Sequence, residues 1–467
     1  MSRPQVLVPA VVGAFFGAVA AQQPVGDLDL WWHLATGAQT LAHGLARTDG
    51  FAWTIPGHAV LLDQWLGDVV IAGAYAIGSW TGIVAVRALA VALLVALVVA
   101  AALAARPRRP LVALLASLPA IALSHYAWTD RPELLGYVLF AGVALLLRFG
   151  QAGNERAFIG TLPLLALWSN IHGSSGLGLG LIVIVVLERA LAWREFRLRG
   201  AIVIVAAFVA TLLTPSGPAA WASSGGHFLA PPRFIQEEGV PDLRSEPGIL
   251  FAITVALVFA TAFLGPGRRR AEAAILVPVA FVSLTATRHM PFLAIAAAPY
   301  LAVDGPEAIT ATLRLIGSRS WSLRHVAEST RGLVAELVGV VFAAGILVLG
   351  VAAGPRATMS DAFPRDALVL LPPGPGLLNR YEWGGFLIWY APATPVFVDG
   401  RLFPYVGEAL DDYRAVIGLH ANWRDVLTRR GIRTLLVAPS DAIAVRARDL
   451  GWPMLISTEK FTLVRVP

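Results

Sequence analysis

The sequence predicts a polytopic α-helical membrane protein with a small α/β domain at its C-terminal end. Of the 467 residues, 57% are hydrophobic and only 14% are charged, which is the composition of a membrane protein. Apolar runs of about 15–25 residues recur along the chain, and this length crosses a bilayer. Beyond Gly354, short β-prone runs alternate with helical patterns, which indicates an α/β fold.

About eleven membrane spans are predicted from the apolar runs. No small-residue cleavage site follows the first run, so we expect a retained span and not a signal peptide. The predicted spans are 6–22, 82–105, 110–124, 133–149, 157–171, 175–192, 200–214, 248–264, 272–287, 290–303 and 332–353.

Arginine placement predicts the orientation of these spans. Most arginines, such as Arg106, Arg148 and Arg194, lie in loops on one side, whereas the opposite loops are rich in acidic residues. By the positive-inside rule the arginine-rich side is cytoplasmic, together with the N-terminus. The first long loop, 23–81, and the C-terminal domain, 354–467, are therefore expected outside, and the transmembrane domain is 1–353.

Loop 23–81 is predicted to contain two helices that lie on the outer surface of the cytoplasmic membrane. Counting Trp65 to Ile77 as a span would place Arg106 to Arg109 outside, so we expect a surface helix there. Leu28 to Leu41 repeats its apolar residues at helical spacing and is predicted to lie in the same way.

The C-terminal domain is predicted to alternate strands with helices. The β-prone runs are Ala367 to Leu371, Pro395 to Val398, Thr434 to Val437 and Phe461 to Val466, and the helical runs are Gly407 to Ile417, Trp423 to Arg430 and Ala442 to Leu450.

Composition excludes several kinds of site. The sequence has no cysteine, so it contains neither disulfides nor thiolate metal ligands. The formal net charge is +6, but the arginines lie between apolar segments, which indicates membrane topology and not a nucleic-acid-binding surface. The sequence has neither a glycine-rich phosphate loop nor an HExxH motif.

An acidic pair follows the first predicted span. Asp27 and Asp29 come directly before Trp31 and Trp32. Carboxylates are costly inside hydrocarbon, and tryptophans favour the membrane–water boundary, so the pattern indicates chemistry at the bilayer surface. The alternative is that the pair ends a helix and faces water.

Several motifs dispersed along the chain carry a resemblance to a known superfamily. They are DLDLWWHLATG at 27–37, RPE at 131–133, WSNIHG at 168–173, TPSG at 214–217, RHMP at 288–291, YEWGG at 381–385 and FVDGR at 397–401. With the predicted topology, and with Arg87 near the outer end of the second span, they resemble the GT-C membrane glycosyltransferases. That superfamily includes oligosaccharyltransferases, protein O-mannosyltransferases and aminoarabinose transferases, and the chain looks like a bacterial family related to these.

The resemblance implies an activity and a location. It implies a hexosyl- or pentosyltransferase of the bacterial cytoplasmic membrane, with its N-terminus in the cytoplasm and its C-terminal domain outside. The implied donor is a polyprenyl-phosphate sugar from the membrane lipids, and the acceptor is a glycan, a lipid or a protein. Asp27 or Asp29 would match the carboxylate that, in such enzymes, acts as general base or holds a divalent metal ion, Mg²⁺ or Mn²⁺.

Arginines on the outer side are the candidates for binding the donor phosphate. These are Arg288 with His289, and Arg131, because guanidinium groups suit phosphate geometry. Further substrate-site candidates on the same side are Trp32, His33, Glu133, His172, Glu237 and Glu238.

Each candidate also has a structural interpretation. Arg131 and Glu133 form an ion pair at a helix start, His172 is hydrogen-bonded within a turn, and Arg288 with His289 extends to lipid headgroups. Glu237 and Glu238 belong to a long loop that either gates a substrate or is simply solvated. The Asp399-Gly400-Arg401 motif is interpreted as a turn at the end of a strand.

Two other functions are compatible with these patterns. A secondary transporter also places charged residues in or near its spans, but related halves with matching broken helices are not evident. A non-catalytic GT-C-like assembly partner in envelope polysaccharide synthesis is the other alternative.

Overall fold

The structure, a computed structural model, describes residues 3–106, 109–222, 236–264, 275–315 and 362–467. The chain divides into two compact units, each made from two stretches of sequence. Unit 1 combines Met1–Gln23 with Val84–Arg356, and unit 2 combines Pro24–Ile83 with Ala357–Pro467. The segment predicted as the first outer loop thus folds with the C-terminal segment. The boundary predicted near Gly354 lies outside the described residues.

The described elements are mainly helices. In chain order the helices are α1 (Arg3–Ala20), α2 (Leu30–His43), α3 (Trp65–Ala105), α4 (Pro110–His125), α5 (Pro132–Gln151), α6 (Arg156–Ile171), α7 (Ser175–Ala192), α8 (Arg197–Thr211), α9 (Glu246–Leu264), α10 (Leu276–Ser283), α11 (Met290–Leu315), α12 (Tyr381–Tyr390), α13 (Glu408–Ile417), α14 (Trp423–Arg430) and α15 (Ala442–Asp449). The strands are β1 (Leu377–Asn379), β2 (Thr434–Val437), β3 (Met454–Ser457) and β4 (Thr462–Arg465).

Unit 1 contains the apolar helices. Each of the first ten predicted spans overlaps a helix, and the eleventh, 332–353, lies outside the described residues. Within the described ranges, α3, α5 and α7 are long and apolar enough to cross a membrane, and shorter apolar helices cover Leu7–Ala20, Pro110–His125 and Glu246–Thr261. The total number of spans remains a prediction.

Two glycines allow α1 to pack closely on the second part of α3. A Cβ at Gly13 would lie 2.3 Å from the carbonyl oxygen of Ala92, and one at Gly17 would lie 2.6 Å from that of Ala88. Small residues four positions apart allow membrane helices to approach closely, because packing and not burial from water drives their association.

Helix α3 is interrupted at Ser79, about one third of the way along its length. Ser79 has φ 52° and ψ −139°, which is not helical. After the interruption the chain folds back tightly, because a Cβ at Gly82 would lie 1.9 Å from the carbonyl oxygen of Ala74. The separation that we predict between a helix at Trp65 to Ile77 and a span at 82–105 agrees with this break.

Unit 2 contains a four-stranded sheet with the strand order β1-β2-β4-β3. Strands β1 and β2 are parallel, and the other two pairings are antiparallel. The stretch 24–83 joins this fold through the backbone, since Ala52 forms a parallel bridge with Val396. Next to the bridge, the hydroxyl of Thr54 donates to the carbonyl oxygen of Phe397 at 2.6 Å.

The apolar face of α2 is covered by protein within unit 2. Trp31 is fully buried, and its ring contacts those of Trp80, Phe363 and Phe386 at centroid distances of 5.0 to 5.5 Å. Helix α12 lies against the start of α2, because a Cβ at Gly385 would be 3.3 Å from the backbone nitrogen of Trp32. Contact of α2 with the membrane surface remains a prediction.

Two predicted strands of unit 2 are wrong. Pro395 to Val398 forms only an isolated bridge at Val396, because the N–H of Phe397 and the carbonyl oxygen of Val398 are bonded to the side chain of Asn379 and not to a neighbouring strand. Residues Arg365–Leu370 form a 3₁₀ helix, although the run has β-prone composition. Pro364 precedes it, Val369 is 88% exposed, and two prolines follow it. The run therefore lacks the buried face of a strand, and prolines limit its extension on both sides.

Candidate active site

The acidic pair lies at the beginning of α2 in unit 2, and its carboxylates are held locally. The Oδ1 atom of Asp27 accepts the backbone N–H of Asp29 at 2.9 Å. The Oδ1 atom of Asp29 accepts the indole N–H of Trp32 at 3.1 Å. Both side chains are half-buried, so neither simply extends into water.

A turn of the C-terminal segment lies directly against Asp29. A Cβ at Gly400 would be 2.1 Å from Oδ1 of Asp29 and 3.5 Å from Nε1 of Trp32. A Cβ at this position would force the Asp29 carboxylate or the turn to shift, so glycine permits the close approach. The acidic pair and the Asp399-Gly400-Arg401 motif are therefore neighbours in space.

Arg401 anchors this turn. Its Nε and NH2 atoms donate to the two carboxylate oxygens of Asp399 at 2.9 and 2.6 Å, and its NH1 atom donates to Asp49. The hydroxyl of Tyr405 donates to Asp399 at 2.5 Å. Burial raises the pKa of Asp399, but the Arg401 guanidinium and these hydrogen bonds outweigh burial and hold the pKa below its usual value.

Two further acidic groups lie in the same unit. The Nδ1 atom of His33 is 2.6 Å from Oδ1 of Asp68, and both side chains are buried. Asp63 precedes α3, and burial raises the pKa of its carboxyl from 3.8 to about 6. Unit 2 thus brings together more carboxylates than the two that the sequence singles out.

The acidic pair does not have the donor set of a metal site. Among the residues that the structure describes, no three histidine, aspartate or glutamate side chains converge as metal ligands. The Oδ1 atoms of Asp27 and Asp29 each accept an N–H group. With no third ligand beside them among the described residues, the pair does not fit Mg²⁺ or Mn²⁺.

The arginine candidates lie in unit 1, and Arg131 is already paired with glutamate. Its NH1 and NH2 atoms donate to the two carboxylate oxygens of Glu237 at 3.2 and 2.7 Å. Its NH2 atom is also 3.6 Å from Oε2 of Glu133. The ion pair with Glu133 that the sequence suggests is present, but the stronger partner is Glu237.

Arg288 is paired in the same way. Its NH1 atom lies 2.7 Å from Oε1 of Glu238, whose side chain is buried. The backbone N–H of Thr287 donates to the carbonyl oxygen of Gly239 at 2.9 Å, which fixes the glutamate segment beside the arginine. The hydroxyl of Tyr137 bridges the carbonyl oxygen of Arg288 and the carboxylate of Glu133.

The electrostatics of this cluster constrain its function. Three carboxylates, of Glu133, Glu237 and Glu238, face the two guanidinium groups of Arg131 and Arg288. A phosphate that binds either arginine would compete with a glutamate for the guanidinium group. The cluster is an ion-pair network.

Two of the three histidine candidates, His172 and His289, make local hydrogen bonds. The Nδ1 atom of His172 accepts the backbone N–H of Ser174 at 3.2 Å and is 2.7 Å from its hydroxyl. The Nδ1 atom of His289 is 3.0 Å from the hydroxyl of Thr285. Arg87, which is predicted to lie near the outer end of the second span, pairs with both carboxylate oxygens of Asp130 at 2.9 and 2.8 Å.

The contacts described above for unit 2 involve four residues that are not among the sequence-predicted site residues. Asp49, Asp68, Asp399 and Arg401 become neighbours of the acidic segment only through folding. For Arg401 a signal existed, because FVDGR is one of the motifs that carry the resemblance. Asp49 and Asp68 are single acidic residues without a motif, so the sequence offers no such signal for them.

Comparisons with solved structures find similar folds. The Archaeoglobus fulgidus oligosaccharyltransferase in the apo form aligns with a TM-score of 0.59 at 12% identity, covering 92% of this chain and 69% of that one. ArnT from Cupriavidus metallidurans bound to undecaprenyl phosphate aligns with a TM-score of 0.51 at 16% identity, covering 98% of this chain and 97% of that one.

The apo state of the same ArnT aligns with a TM-score of 0.52 at 15% identity, covering 97% of this chain and 96% of that one. No protein-family model and no curated protein matches the sequence. At such low identities the likeness shows the fold alone.

Proposed function

We propose, from the GT-C fold that this protein has, that it is a glycosyltransferase. It would move a sugar from a polyprenyl-phosphate-linked donor to an acceptor at the outer face of the cytoplasmic membrane. One observation carries the proposal: the chain aligns over 98% of its length with ArnT bound to undecaprenyl phosphate. The carboxylate pair after the first helix supplies the group that the chemistry requires.

The reaction replaces one bond to the anomeric carbon by another. The acceptor oxygen forms the new bond, the bond from the anomeric carbon to the phosphate oxygen breaks, and polyprenyl phosphate leaves. The proton of the acceptor hydroxyl passes to a carboxylate acting as general base.

Asp29 is the better candidate for this base. Its carboxylate is oriented by Trp32 and lies against Gly400, and a fixed orientation favours proton transfer. Asp27 has a local task, because its carboxylate accepts the backbone N–H of Asp29.

The donor phosphate is assigned, as a separate proposal for unit 1, to Arg288 with His289 and to Arg131. Cations stabilise the negative charge of a leaving phosphate, and charge-assisted hydrogen bonds to guanidinium groups are strong. The phosphate would take the place of Glu238 or Glu237, whose carboxylates pair with these arginines.

The proposal also includes the number of membrane spans and their orientation. The chain would have eleven spans in the bacterial cytoplasmic membrane, with its N-terminus in the cytoplasm and its C-terminal α/β segment outside. The apolar helices α3, α5 and α7 support a membrane location.

The test is transfer of labelled sugar by the full-length protein in lipid nanodiscs. Undecaprenyl-phosphate-linked mannose, glucose and arabinose are offered as radiolabelled donors with a membrane extract as the acceptor source. We expect transfer from at least one donor, and a loss of about 10²-fold or more in Asp29→Asn. Asp425→Asn, an exposed carboxylate in the first turn of α14, is the matched control.

Two results would contradict the proposal. Full activity in both Asp27→Asn and Asp29→Asn would remove the acidic pair from catalysis. If the wild type transferred none of the sugars, the non-catalytic assembly partner or the transporter would be the better interpretation.

A further inference from the structure

We infer that the Asp399-Gly400-Arg401 turn is a positioning element for Asp29, so that the C-terminal segment forms part of the catalytic centre. This inference rests on the proposed function, since it assigns a partner to the proposed base. The sequence gives the motif only as a turn at the end of a strand.

The first argument is the close approach at Gly400. The backbone of this residue lies so near to the Asp29 carboxylate that a methyl group at its Cβ position would be 2.1 Å from Oδ1. The same oxygen accepts the indole N–H of Trp32. The carboxylate is thus confined by an indole of its own helix and by the backbone of a distant turn.

The second argument is the rigidity of the turn. Arg401 binds Asp399 through its side chain and also donates its backbone N–H to Oδ1 of Asp399 at 2.9 Å. Its NH1 atom donates to Asp49, which belongs to the same stretch of chain as Asp29. Arg401 therefore fastens the turn to the segment that contains the proposed base.

Neighbouring glycines of α12 complete the support. A Cβ at Gly384 would lie 2.3 Å from the carbonyl oxygen of Val398, and one at Gly385 would lie 3.2 Å from that of Leu28. The helix therefore contacts both the chain before the turn and the chain before Asp29. The YEWGG and FVDGR motifs are explained together, as packing around the acidic segment.

A base that takes a proton from an acceptor must keep its orientation. A displacement of about 1 Å at a catalytic group can cost about 10²-fold in rate. A Cβ at position 400 forces the carboxylate or the turn to move by at least that distance, because contacts below about 3 Å between these atoms are repulsive.

The kinetic test compares Gly400→Ala with Gly50→Ala in the full-length protein. Gly50 lies in the same stretch as Asp29, but a Cβ there would meet no atom within 4 Å. Using whichever undecaprenyl-phosphate sugar the wild type accepts, we expect Gly400→Ala to lower kcat by about 10²-fold with an unchanged KM for the donor. Gly50→Ala should behave as the wild type.

A stability test works even if Gly400→Ala folds poorly. If the added methyl group collides with the Asp29 carboxylate, then Asp29→Ala should restore part of the thermal stability or expression that Gly400→Ala loses. Asp27→Ala, which shortens the neighbouring carboxylate, should not restore it.

The outcomes separate this inference from the proposed function. Absence of transfer by the wild type, or full activity of both Asp27→Asn and Asp29→Asn, would refute the function. Full activity of Asp29→Asn alone would refute Asp29 as the base, and the positioning role with it. If those results are as proposed, but Gly400→Ala keeps the wild-type kcat or Asp29→Ala gives no rescue, the positioning role is refuted and the function stands.

Discussion

Glu238 occupies the guanidinium group that we assign to the donor phosphate, so removing its charge should improve lipid binding. Its Oε1 atom is 2.7 Å from NH1 of Arg288, and the two side chains are 3% and 25% exposed. In Glu238→Gln the shape of the side chain is kept, while the negative charge that a phosphate would have to replace is lost.

The size of the effect follows from this one contact. A hydrogen bond to a charged group contributes about 1.5–3 kcal/mol, and every 1.4 kcal/mol changes Kd by about tenfold. Since the phosphate no longer displaces a carboxylate, Glu238→Gln should bind undecaprenyl phosphate about 10-fold more tightly or better. Arg288→Ala should bind it much more weakly, and Arg288→Lys should recover only part, because a lysine lacks the bidentate geometry.

The assay is titration of undecaprenyl phosphate into the full-length protein in nanodiscs, with binding followed by the shift in thermal unfolding. The control is Glu155→Gln, which removes a carboxylate from the exposed pair with Arg199 and should leave Kd unchanged. If Glu238→Gln binds the lipid no more tightly than the wild type, the reasoning fails. Arg288 would then have a structural role only.

Three further predictions concern stability, pH and topology. Asp130→Asn should destabilise unit 1 by about 3–5 kcal/mol, because it replaces the carboxylate that pairs with the buried charge of Arg87. Thermal unfolding in detergent measures the loss. A loss below about 1 kcal/mol, as for an exposed pair, would argue against burial of this ion pair. Burial raises the pKa of Asp63 from 3.8 to about 6. Its contribution to the free energy of unfolding is therefore complete below pH 3.8 and is lost as the pH rises through about 6. Asp63→Asn should remove this pH dependence of the free energy of unfolding, and an unaltered pH profile would refute the burial effect. Reporter fusions at Pro107 and Ala391 should report opposite sides of the membrane, and the same side for both would overturn the proposed topology.

The helices of unit 1 follow well from the sequence because each is a long apolar run between polar residues. Boundaries were also predictable where local signals are strong, as at α14, where Gly431 ends the helix in a left-handed conformation. By contrast, β1 has only three residues between a proline- and glycine-rich segment and helix α12, and such a short run has no detectable period. Its identity as a strand depends on the parallel partner β2.

The candidate site was predictable in its residue types but not in its partners. The acidic pair and the outer arginines stand out because charges near spans are costly. However, Arg131 and Glu237 are 106 positions apart, and no local pattern indicates that they pair. The contact of Gly400 with Asp29 is equally non-local, so only the folded chain shows that the turn and the acidic pair are neighbours.

Unit 2 draws one of its two segments from near the beginning of the chain and the other from its end. During synthesis the stretch 24–83 is made long before residues 357–467. The ring of Trp31 therefore cannot pack against Phe363 and Phe386 until those residues have been synthesised. Contacts so distant in sequence form slowly, and exposed apolar surface in the meantime favours aggregation. Biogenesis of this protein should therefore depend on a chaperone or on lipid to cover the apolar face of α2 until residues 357–467 have been synthesised.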